Sequence, residues 1–258
     1  MSTRATAESV LCRARLYRPA RNGYQRMFNR RYMQYRRQGR AFYMQFIERG
    51  DLVFDAGANR GLMSEMFLEL GARVVALEPI PHLAGLITRR YGHGRLAVHA
   101  CAVGDLAGEA TLHVGRDDAH SSISDDWVQL VRATPGLPER WGRTITVPVR
   151  TFDEMIDRYG LPAFIKIDIE GHEPAALNGL SQPVRALSFE FQCAAPDRTR
   201  QCLDRLASLG DYRYRMAAGE QLRYMDLAWC DSGELMDRLA ELATADPVTH
   251  GDVYARLA

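Results

Sequence analysis

The amino-acid sequence predicts an α/β fold in which a mostly parallel sheet is covered by helices on both faces. From residue 51 onward, short apolar runs alternate with runs of helical periodicity, which is the pattern of strand–helix–strand units. The first apolar run, Leu52–Asp55, ends in an acidic residue and leads into a glycine-rich turn. With 258 residues, 47% hydrophobic and 25% charged, the chain is long and apolar enough for one large packed domain.

The elements before residue 115 follow in a simple order. After the first strand, Leu62–Leu70 has a helical pattern that Gly71 ends. The remaining predicted elements of this part are the strand Arg73–Glu78, the helix His82–Tyr91, the strand Leu96–Val103 and an edge strand at Thr111–Val114.

Residues 115–143 are polar and irregular and carry two tryptophans, so we interpret them as a loop on the acceptor side of the site. Strand and helix patterns then return. The predicted elements are an edge strand Thr144–Val149, a helix Phe152–Tyr159, strands Phe164–Asp168 and Ala186–Phe191, a helix Arg198–Leu209, a hairpin of Tyr212–Met216 and Leu222–Trp229 around Gly219, and a helix Leu235–Leu242.

Residues 1–50 form a basic arm in front of an acidic body. The arm holds 12 arginines and two acidic residues, a net charge of +10, whereas residues 51–258 carry a net charge of −9. Its aromatic residues and methionines recur at helical spacing, which predicts a helical extension whose apolar side packs on the body. The alternative is a surface for an anionic substrate, a membrane lipid or a partner. The residues that carry this spacing are Tyr24, Met27, Phe28, Tyr32 and Tyr35.

Composition excludes several classes of protein. No run approaches the roughly 20 apolar residues that cross a bilayer, and the N-terminus lacks the apolar core of a signal peptide. The five cysteines are scattered without a Cys-x-x-Cys pair, which argues against a disulfide framework or a zinc cluster. The acidic body argues against nucleic acid as a partner. We therefore expect a cytoplasmic protein, and a homodimer is compatible with the sequence.

The turn after the first strand indicates a nucleotide-like cofactor. A strand, a glycine turn and a helix present backbone N–H groups to a ligand. The acid that ends the strand would repel a pyrophosphate, but it would attract the amino group or sulfonium of S-adenosylmethionine. Glu78 ends the next strand, where an acid accepts hydrogen bonds from ribose hydroxyls. The predicted cofactor-binding residues are therefore Asp55, Gly57, Ala58, Asn59, Gly61 and Glu78.

The chain resembles the FkbM family of class I methyltransferases over about residues 51–192. The most specific motif is Lys-Ile-Asp-Ile-Glu-Gly-x-Glu at 166–173, and the glycine turn is less specific. The other motifs are Phe54–Gly61, Glu78-Pro79, Ala102–Asp105, Ser121-Ser122, Thr151–Glu154 and Ser188–Phe191. The resemblance implies a Rossmann-like, seven-stranded, mostly parallel sheet with a terminal antiparallel strand. It also implies O-methylation of sugar, polyketide or related hydroxyls, with Asp105 near the adenine amino group and Ser122 near the cofactor.

The acidic residues around residue 170 are the predicted catalytic group. Ligands of an open parallel sheet lie outside the carboxyl ends of its strands. Asp168 ends one strand and Glu190 the next, and Glu170 and His172 follow Asp168 closely. Lys166 lies two residues before Asp168, so strand alternation puts both on one face, where an ion pair would fix the carboxylate.

Two mechanisms fit this group. In one, His172 or a carboxylate is the general base that removes the hydroxyl proton. In the other, Asp168 and Glu190 hold Mg²⁺, which prefers oxygen ligands. Some of these residues have simpler interpretations: His172 as an exposed loop residue, and Glu173 as an acid that interacts with the dipole of the helix beginning at Pro174.

The sequence thus predicts an S-adenosylmethionine-dependent O-methyltransferase that acts on a small-molecule hydroxyl. A sugar, glycolipid or glycosylated or polyketide metabolite is the favoured acceptor, because converging carboxylates suit recognition of several hydroxyls. The alternatives are methylation of a nitrogen, which needs no strong base, and a non-catalytic Rossmann-like protein whose basic arm binds a membrane or partner.

Overall fold

A computed structural model gives the architecture of the protein. It describes residues 30–92, 94–115, 120–133, 141–219, 222–225 and 228–258.

The centre of the molecule is a seven-stranded sheet with the strand order β3-β2-β1-β7-β8-β10-β9. Strands β3 to β8 of this sheet pair in parallel, and β10 runs antiparallel to both of its neighbours. The expected mostly parallel sheet with a terminal antiparallel strand is therefore confirmed. Its strands are β1 Leu52–Ala56, β2 Arg73–Leu77, β3 Leu96–His99, β7 Phe164–Ile167, β8 Ala186–Gln192, β9 Tyr212–Ala218 and β10 His250–Leu257.

Helices cover both faces of this sheet. Residues of α1, α2 and α3 form one core cluster with the strands, and residues of α5 to α8 form another on the opposite face. Strand β1 shows the alternation: Phe54 belongs to one cluster and Val53 to the other. The helices are α1 Arg30–Tyr43, α2 Leu62–Leu70, α3 Pro81–Tyr91, α4 Asp125–Ala133, α5 Phe152–Tyr159, α6 Glu173–Asn178, α7 Pro196–Leu209 and α8 Ser232–Ala245.

A second, three-stranded sheet stands beside the main one. Its order is β4-β6-β5, and its strands are β4 Ala102–Val103, β5 Gly108–Gly115 and β6 Trp141–Arg150. The two predicted edge strands are confirmed as strands, but they pair with each other here rather than at an edge of the main sheet. The predicted strand Leu96–Val103 is divided, because Leu96–His99 pairs with β2 and Ala102–Val103 pairs with β6.

The predicted hairpin of Tyr212–Met216 and Leu222–Trp229 is wrong in its second strand. The described residues between 222 and 229 form bends and irregular backbone, and β9 pairs with β10 instead. Strand β10 is buried on both faces, with Val253 in one core cluster and Tyr254 in the other. That double burial explains why β10 lies inside the sheet, between β8 and β9.

The interpretation of 115–143 as an irregular loop needs a correction. Within the described part of this segment, Asp125–Ala133 is a helix whose apolar side buries Trp127, Val128 and Val131. Trp141 from β6 and Ala195 pack into the same small cluster. Residues 116–119 and 134–140 lie outside the described residues.

The end of the basic arm packs against the body. Helix α1 and the residues after it bury Phe42, Tyr43, Phe46 and Ile47 against the main sheet. The packing of the five residues that carry the helical spacing stays a prediction. Residues 1–29, with three of the five residues that carry the helical spacing, lie outside the described residues. No helix in the described ranges is long and apolar enough to cross a membrane. An anionic or membrane contact of the arm, a homodimer and a cytoplasmic location stay predictions.

Candidate functional site

A cavity opens at the carboxyl ends of β1, β2 and β7, and we call it the main cavity. This is the edge where an open parallel sheet binds its ligands. The cavity lies between the main sheet and the small one, so both contribute to its wall. The lining residues are Gly57, Asn59, Leu77, Glu78, Pro79, Cys101, Ala102, Val103, Leu112, Ser121, Ile123, Asp168, Ile169, Glu170 and His172.

The turn after β1 forms one end of the main cavity. Gly57, Asn59 and Gly61 have positive φ angles of 78°, 49° and 77°, which glycine adopts freely and asparagine tolerates. Gly57 also lies against β7, because a Cβ atom there would stand 1.7 Å from the carbonyl oxygen of Asp168. The turn therefore requires glycine at this position for two independent reasons.

Glu78 holds this turn in place. One of its carboxylate oxygens accepts a hydrogen bond of 2.7 Å from the Asn59 backbone N–H, and the other accepts one of 2.9 Å from Ile80 N–H. Glu78 is only 4% exposed, yet it lines the main cavity. An acid whose two oxygens are fixed by backbone donors is well placed to accept bonds from ligand hydroxyls with its remaining lone pairs.

Asp55 lies beneath the turn rather than in the cavity wall. Its carboxylate is fully buried and accepts a short hydrogen bond of 2.5 Å from the Ser64 hydroxyl at the start of α2. Burial raises the pKa of this carboxyl, and Lys166 partly opposes the shift. Its other oxygen has no hydrogen-bond partner among the described residues.

Of the eight predicted cofactor-binding residues, Gly57, Asn59 and Glu78 line the main cavity, and the other five do not. Ala58 is buried in the core cluster on the α2 face, and Gly61 caps the start of α2. Asp105 is exposed, and its charge partly offsets the lowering of the His172 pKa by burial. Ser122 is buried and donates to the Glu170 carbonyl at 2.7 Å, whereas its neighbour Ser121 lines the cavity.

The predicted ion pair after β7 is confirmed. The Lys166 ammonium donates to an Asp168 carboxylate oxygen at 2.6 Å. Burial alone would lower the pKa of Lys166, but the carboxylates of Asp168, Asp252 and Asp55 raise it above its usual value. Lys166 therefore stays charged and holds Asp168 at the mouth of the cavity.

Three carboxylates meet beside this ion pair. Oxygens of Asp168, Glu170 and Glu190 lie within 4.8 Å of one another, and we call these residues the carboxylate cluster. Burial raises the pKa of Glu190 well above its usual value, and the charges of Glu170 and Asp168 raise it further. Glu170 has a positive φ of 56°, a left-handed conformation that a glutamate rarely adopts.

His172 and Glu173 follow the cluster. His172 lines the main cavity, and burial lowers its pKa, so the imidazole is neutral at neutral pH. Glu173 is buried and accepts hydrogen bonds from the N–H groups of Ile169 and Gly171. Its position in the first turn of α6 agrees with the simpler interpretation as a helix-start acid. Burial raises its pKa to about 7 despite those bonds.

Sequence reasoning missed Asp252. It lies on β10 directly opposite Glu190, and the Tyr254 hydroxyl donates to it at 3.3 Å. Burial raises its pKa to about 6, Lys166 lowers it, and Asp168 raises it. The apolar alternation of Val253, Ala255 and Leu257 is the signal that would have found this strand.

The family described as "Methyltransferase FkbM domain" matches residues 55–216, which is more than half of the chain. The match contains the turn after β1, the Lys166–Asp168 pair and the whole carboxylate cluster. The chain belongs to the FkbM methyltransferase family. It is an S-adenosylmethionine-dependent methyltransferase. Asp252 and α1 lie outside the matched residues.

Solved structures of other methyltransferases are similar to this FkbM family member at low identity. One is precorrin-6y C5,15-methyltransferase from Geobacter metallireducens, with 10% identity, a TM-score of 0.45, and coverage of 86% of this chain and 87% of that one. Another is an O-methyltransferase from Bacillus cereus, with 13% identity, a TM-score of 0.43 and coverage of 88% and 81%. A third is the N-methyltransferase NodS from Bradyrhizobium japonicum, with 9% identity, a TM-score of 0.39 and coverage of 90% and 99%. No curated protein matches the chain.

Proposed function

We propose that this protein transfers the methyl group of S-adenosylmethionine to a hydroxyl of a small molecule, such as a sugar, a glycolipid or a glycosylated or polyketide metabolite. The single observation that carries the proposal is the construction of the main cavity. One end has a backbone turn fixed by Glu78, and the other end has Asp168 and Glu170 of the carboxylate cluster together with a neutral histidine.

The cofactor is assigned to the Glu78 end. Glu78 is placed to bind the ribose hydroxyls, and Leu77, Cys101 and Val103 offer an apolar wall to the adenine ring. Gly57 and Asp168 both line the main cavity, and we assign the methionine part of the cofactor to the space beside them. When bound, S-adenosylmethionine supplies the methyl group and a positively charged sulfonium, which the nearby carboxylates stabilise.

The carboxylate end is assigned to the acceptor. Methyl transfer is an in-line displacement, so positioning the hydroxyl supplies much of the rate enhancement. A base must also accept the hydroxyl proton. Glu190 fits this role because its raised pKa makes it a stronger base than an ordinary carboxylate, and neutral His172 is the second candidate. The ion pair with Lys166 fixes the position of the Asp168 carboxylate and offsets one negative charge of the group.

A metal-assisted form of the same reaction uses the cluster differently. The sequence assigned Mg²⁺ to Asp168 and Glu190, and an oxygen of Glu170 lies within 4.8 Å of theirs, so it could become a third oxygen ligand. The Lys166 ammonium already occupies one Asp168 oxygen, which competes with a metal ion there. Activity measured after exhaustive chelation, with and without added Mg²⁺, separates the two forms. Full activity after chelation excludes the metal.

Two measurements test the proposal. In calorimetry with S-adenosylhomocysteine, we expect Glu78→Ala to weaken binding at least about tenfold, because a clamped acceptor of two ribose bonds is lost. The matched control is Glu109→Ala, which changes an exposed glutamate on β5. Unchanged binding in Glu78→Ala would contradict the cofactor assignment.

The acceptor assignment is tested by transfer of a labelled methyl group to a panel of hydroxyl-bearing and amine-bearing small molecules. The proposal expects methyl ethers as products. Methylated amines would establish the N-methyltransferase alternative instead. Binding of the cofactor without transfer to any acceptor would favour a binding protein over an enzyme of this specificity.

A further inference from the structure

The turn that follows β7 has an unfavourable backbone conformation. Glu170 and Gly171 have consecutive positive φ angles of 56° and 87°, a region that only glycine adopts freely. In this conformation an oxygen of the Glu170 carboxylate lies within 4.8 Å of oxygens of Asp168 and Glu190. Carboxylates this close repel each other when ionised, so charge and backbone strain both favour a relaxed turn that moves Glu170 away. Other contacts must therefore hold the turn.

Side chains from three segments bind the peptide groups of this turn. The peptide group between Glu170 and Gly171 is held at both polar atoms: its carbonyl accepts a hydrogen bond of 2.7 Å from the Ser122 hydroxyl, and its N–H donates one of 3.2 Å to Glu173. The next carbonyl, that of Gly171, accepts a hydrogen bond from the Arg198 guanidinium, and a charged donor makes such a bond stronger. A change of φ at Glu170 would move these peptide groups and break the bonds.

Arg198 is itself fixed by the segment that carries Ser122. Its guanidinium also donates to the Ser124 hydroxyl at 3.2 Å, and the Ser124 N–H donates to the Ser122 hydroxyl at 3.0 Å. The guanidinium lies 5.7 Å from the centre of the Trp127 ring, and this ring packs on Gly171, where a Cβ atom would stand 2.4 Å from it. The start of α7 and residues 122–127 therefore hold the turn as one connected group.

This group reaches the site only through the backbone of the turn. Neither Arg198 nor Ser122 lines the main cavity, whereas Glu170 does. Arg198 also lies outside every motif of the sequence. Its effect on the reaction must therefore pass through the position of Glu170.

We propose that Arg198 is a positioning residue of the acceptor end: together with Ser122, it holds Glu170 in the left-handed conformation that keeps its carboxylate beside Asp168 and Glu190. This inference rests on the proposed function, because it assigns a supporting residue to the end of the cavity where the acceptor binds.

The first test observes the backbone of Glu170 directly and needs no acceptor. In a residue with positive φ, the N–H and Cα–H protons lie closer together than in one with negative φ, so the NOE between them is strong. NMR spectra of the full chain saturated with S-adenosylhomocysteine are compared for the wild type, Arg198→Met and Arg198→Lys. The matched control is Arg200→Met, which changes an exposed arginine of the same helix.

We expect a strong NOE at Glu170 in the wild type and in the Arg200→Met control. Arg198→Met should weaken it, because the side chain keeps its bulk but loses the donors to Gly171 and Ser124. Arg198→Lys should restore it, since an ammonium can still donate to the Gly171 carbonyl. Ser122→Ala removes only the bond to the Glu170 carbonyl, and it gives a second, milder variant should Arg198→Met fail to fold.

The second test measures kcat and KM in the labelled methyl-transfer assay. Misplacing one group of a reacting site slows the chemical step, so kcat should fall about tenfold to a hundredfold in Arg198→Met and recover in Arg198→Lys. The Arg200→Met control should keep full turnover. A residue that only stabilised the fold would lower the urea midpoint without these changes in NOE and kcat. The proposal is overturned if Arg198→Met keeps the strong NOE at Glu170, or keeps the wild-type kcat.

Calorimetry with S-adenosylhomocysteine keeps the two proposals separate. We expect Arg198→Met to bind it as the wild type does, since Arg198 does not line the main cavity. If the wild type does not bind it, or methylates no hydroxyl, the proposed function fails, while the NOE still decides whether Arg198 holds the turn. If the wild type binds it and transfers the methyl group but Arg198→Met behaves like the control, the positioning role alone is wrong.

Discussion

The two ends of the main cavity are built by opposite means. At the Glu78 end, a single carboxylate has backbone N–H donors on both oxygens, and positive φ angles fall on glycine and asparagine. At the other end, the carboxylates of Asp168 and Glu170 lie beside the Lys166 ammonium and close to Glu190, and the positive φ falls on Glu170. The first end fixes its cavity-lining carboxylate with backbone donors, whereas the second brings several carboxylates together on a strained backbone.

The contrast follows from two different tasks, which are cofactor binding at one end and chemistry at the acceptor at the other. The cofactor is the same in every reaction cycle, so a preformed backbone turn of low conformational energy can bind it. Chemistry at the acceptor needs groups whose pKa values differ from their ordinary ones, and such shifts require burial and close like charges. Stability is therefore expected to reside at the first end, and the second end is expected to cost stability in exchange for reactivity.

The strongest test of the cofactor end is Gly57→Ala. The new Cβ atom would collide with the Asp168 carbonyl and would impose φ of +78° on a residue that avoids it. We expect loss of S-adenosylhomocysteine binding in calorimetry and a fall of about 5 kcal/mol in the free energy of unfolding.

Gly50→Ala is the matched control for this change. Gly50 has a similar φ of +95°, but nothing lies within 4 Å of its added Cβ atom. Gly50→Ala should lower the free energy of unfolding by only about 1–2 kcal/mol, which is the cost of a left-handed alanine. It should keep its affinity for S-adenosylhomocysteine. If both variants bind equally well, the close approach of the turn to β7 is not needed for binding.

Asp168→Asn tests the acceptor end. The amide keeps the shape of the side chain but removes the charge that Lys166 and the cluster share. We expect turnover in the labelled methyl-transfer assay to fall about 10²–10³-fold with cofactor affinity little changed. The control Asp157→Asn alters an exposed carboxylate of α5 and should keep full turnover. Near-normal turnover in Asp168→Asn would show that the carboxylate cluster takes no part in the reaction.

The same contrast explains what the sequence could and could not predict. The turn after β1, helix α2 with its glycine end, and the Lys166–Asp168 pair depend on local spacing, and the structure places them as expected. The position of Asp55 at the end of β1 predicts a cofactor contact, and that contact stays a prediction, because the side chain turns to Ser64 under the loop.

Asp252 needed the tertiary structure. It comes from a segment distant from every motif, and it reaches the site only because β10 enters the sheet beside β8. A strand inserted out of chain order leaves no local signal of its neighbours. Sequence spacing therefore predicted that Asp168, Glu170 and Glu190 lie together, but not that Asp252 lies beside Glu190.

Lys166→Met sharpens the comparison through stability. Removing the only lysine of the chain leaves the buried Asp55 and the half-buried Asp252 without their counter-charge, and we expect a loss of about 3 kcal/mol in urea unfolding near neutral pH. An exposed cation, Arg143, serves as control, and Arg143→Met should change stability by less than about 0.5 kcal/mol.

The pH dependence of this loss has a definite sign. The pKa values of Asp55 and Asp252 are raised by folding, that of Asp252 to about 6, so these groups favour the folded state at low pH and oppose it as pH rises through their folded pKa. Lys166 lowers both values, so its removal steepens the decline. The loss in Lys166→Met should be larger at pH 8 than at pH 5, and an equal loss at both would contradict the assigned charge coupling.

The smallest expected effect is a difference in stability that comes from backbone strain at the two ends. Glu170→Gly relieves a left-handed glutamate and removes one charge from the cluster, so we expect stability at pH 8 to rise by about 1 kcal/mol while turnover falls.

Asn59→Gly makes the matched change at the cofactor end. Asparagine tolerates the left-handed region, and Asn59 bonds to Glu78 through its backbone N–H, which glycine keeps, so neither stability nor cofactor affinity should improve. Urea unfolding and the methyl-transfer assay measure both variants. A loss of stability in Glu170→Gly would mean that the strained conformation is offset by contacts of its own side chain, and the acceptor end would then not cost the protein stability.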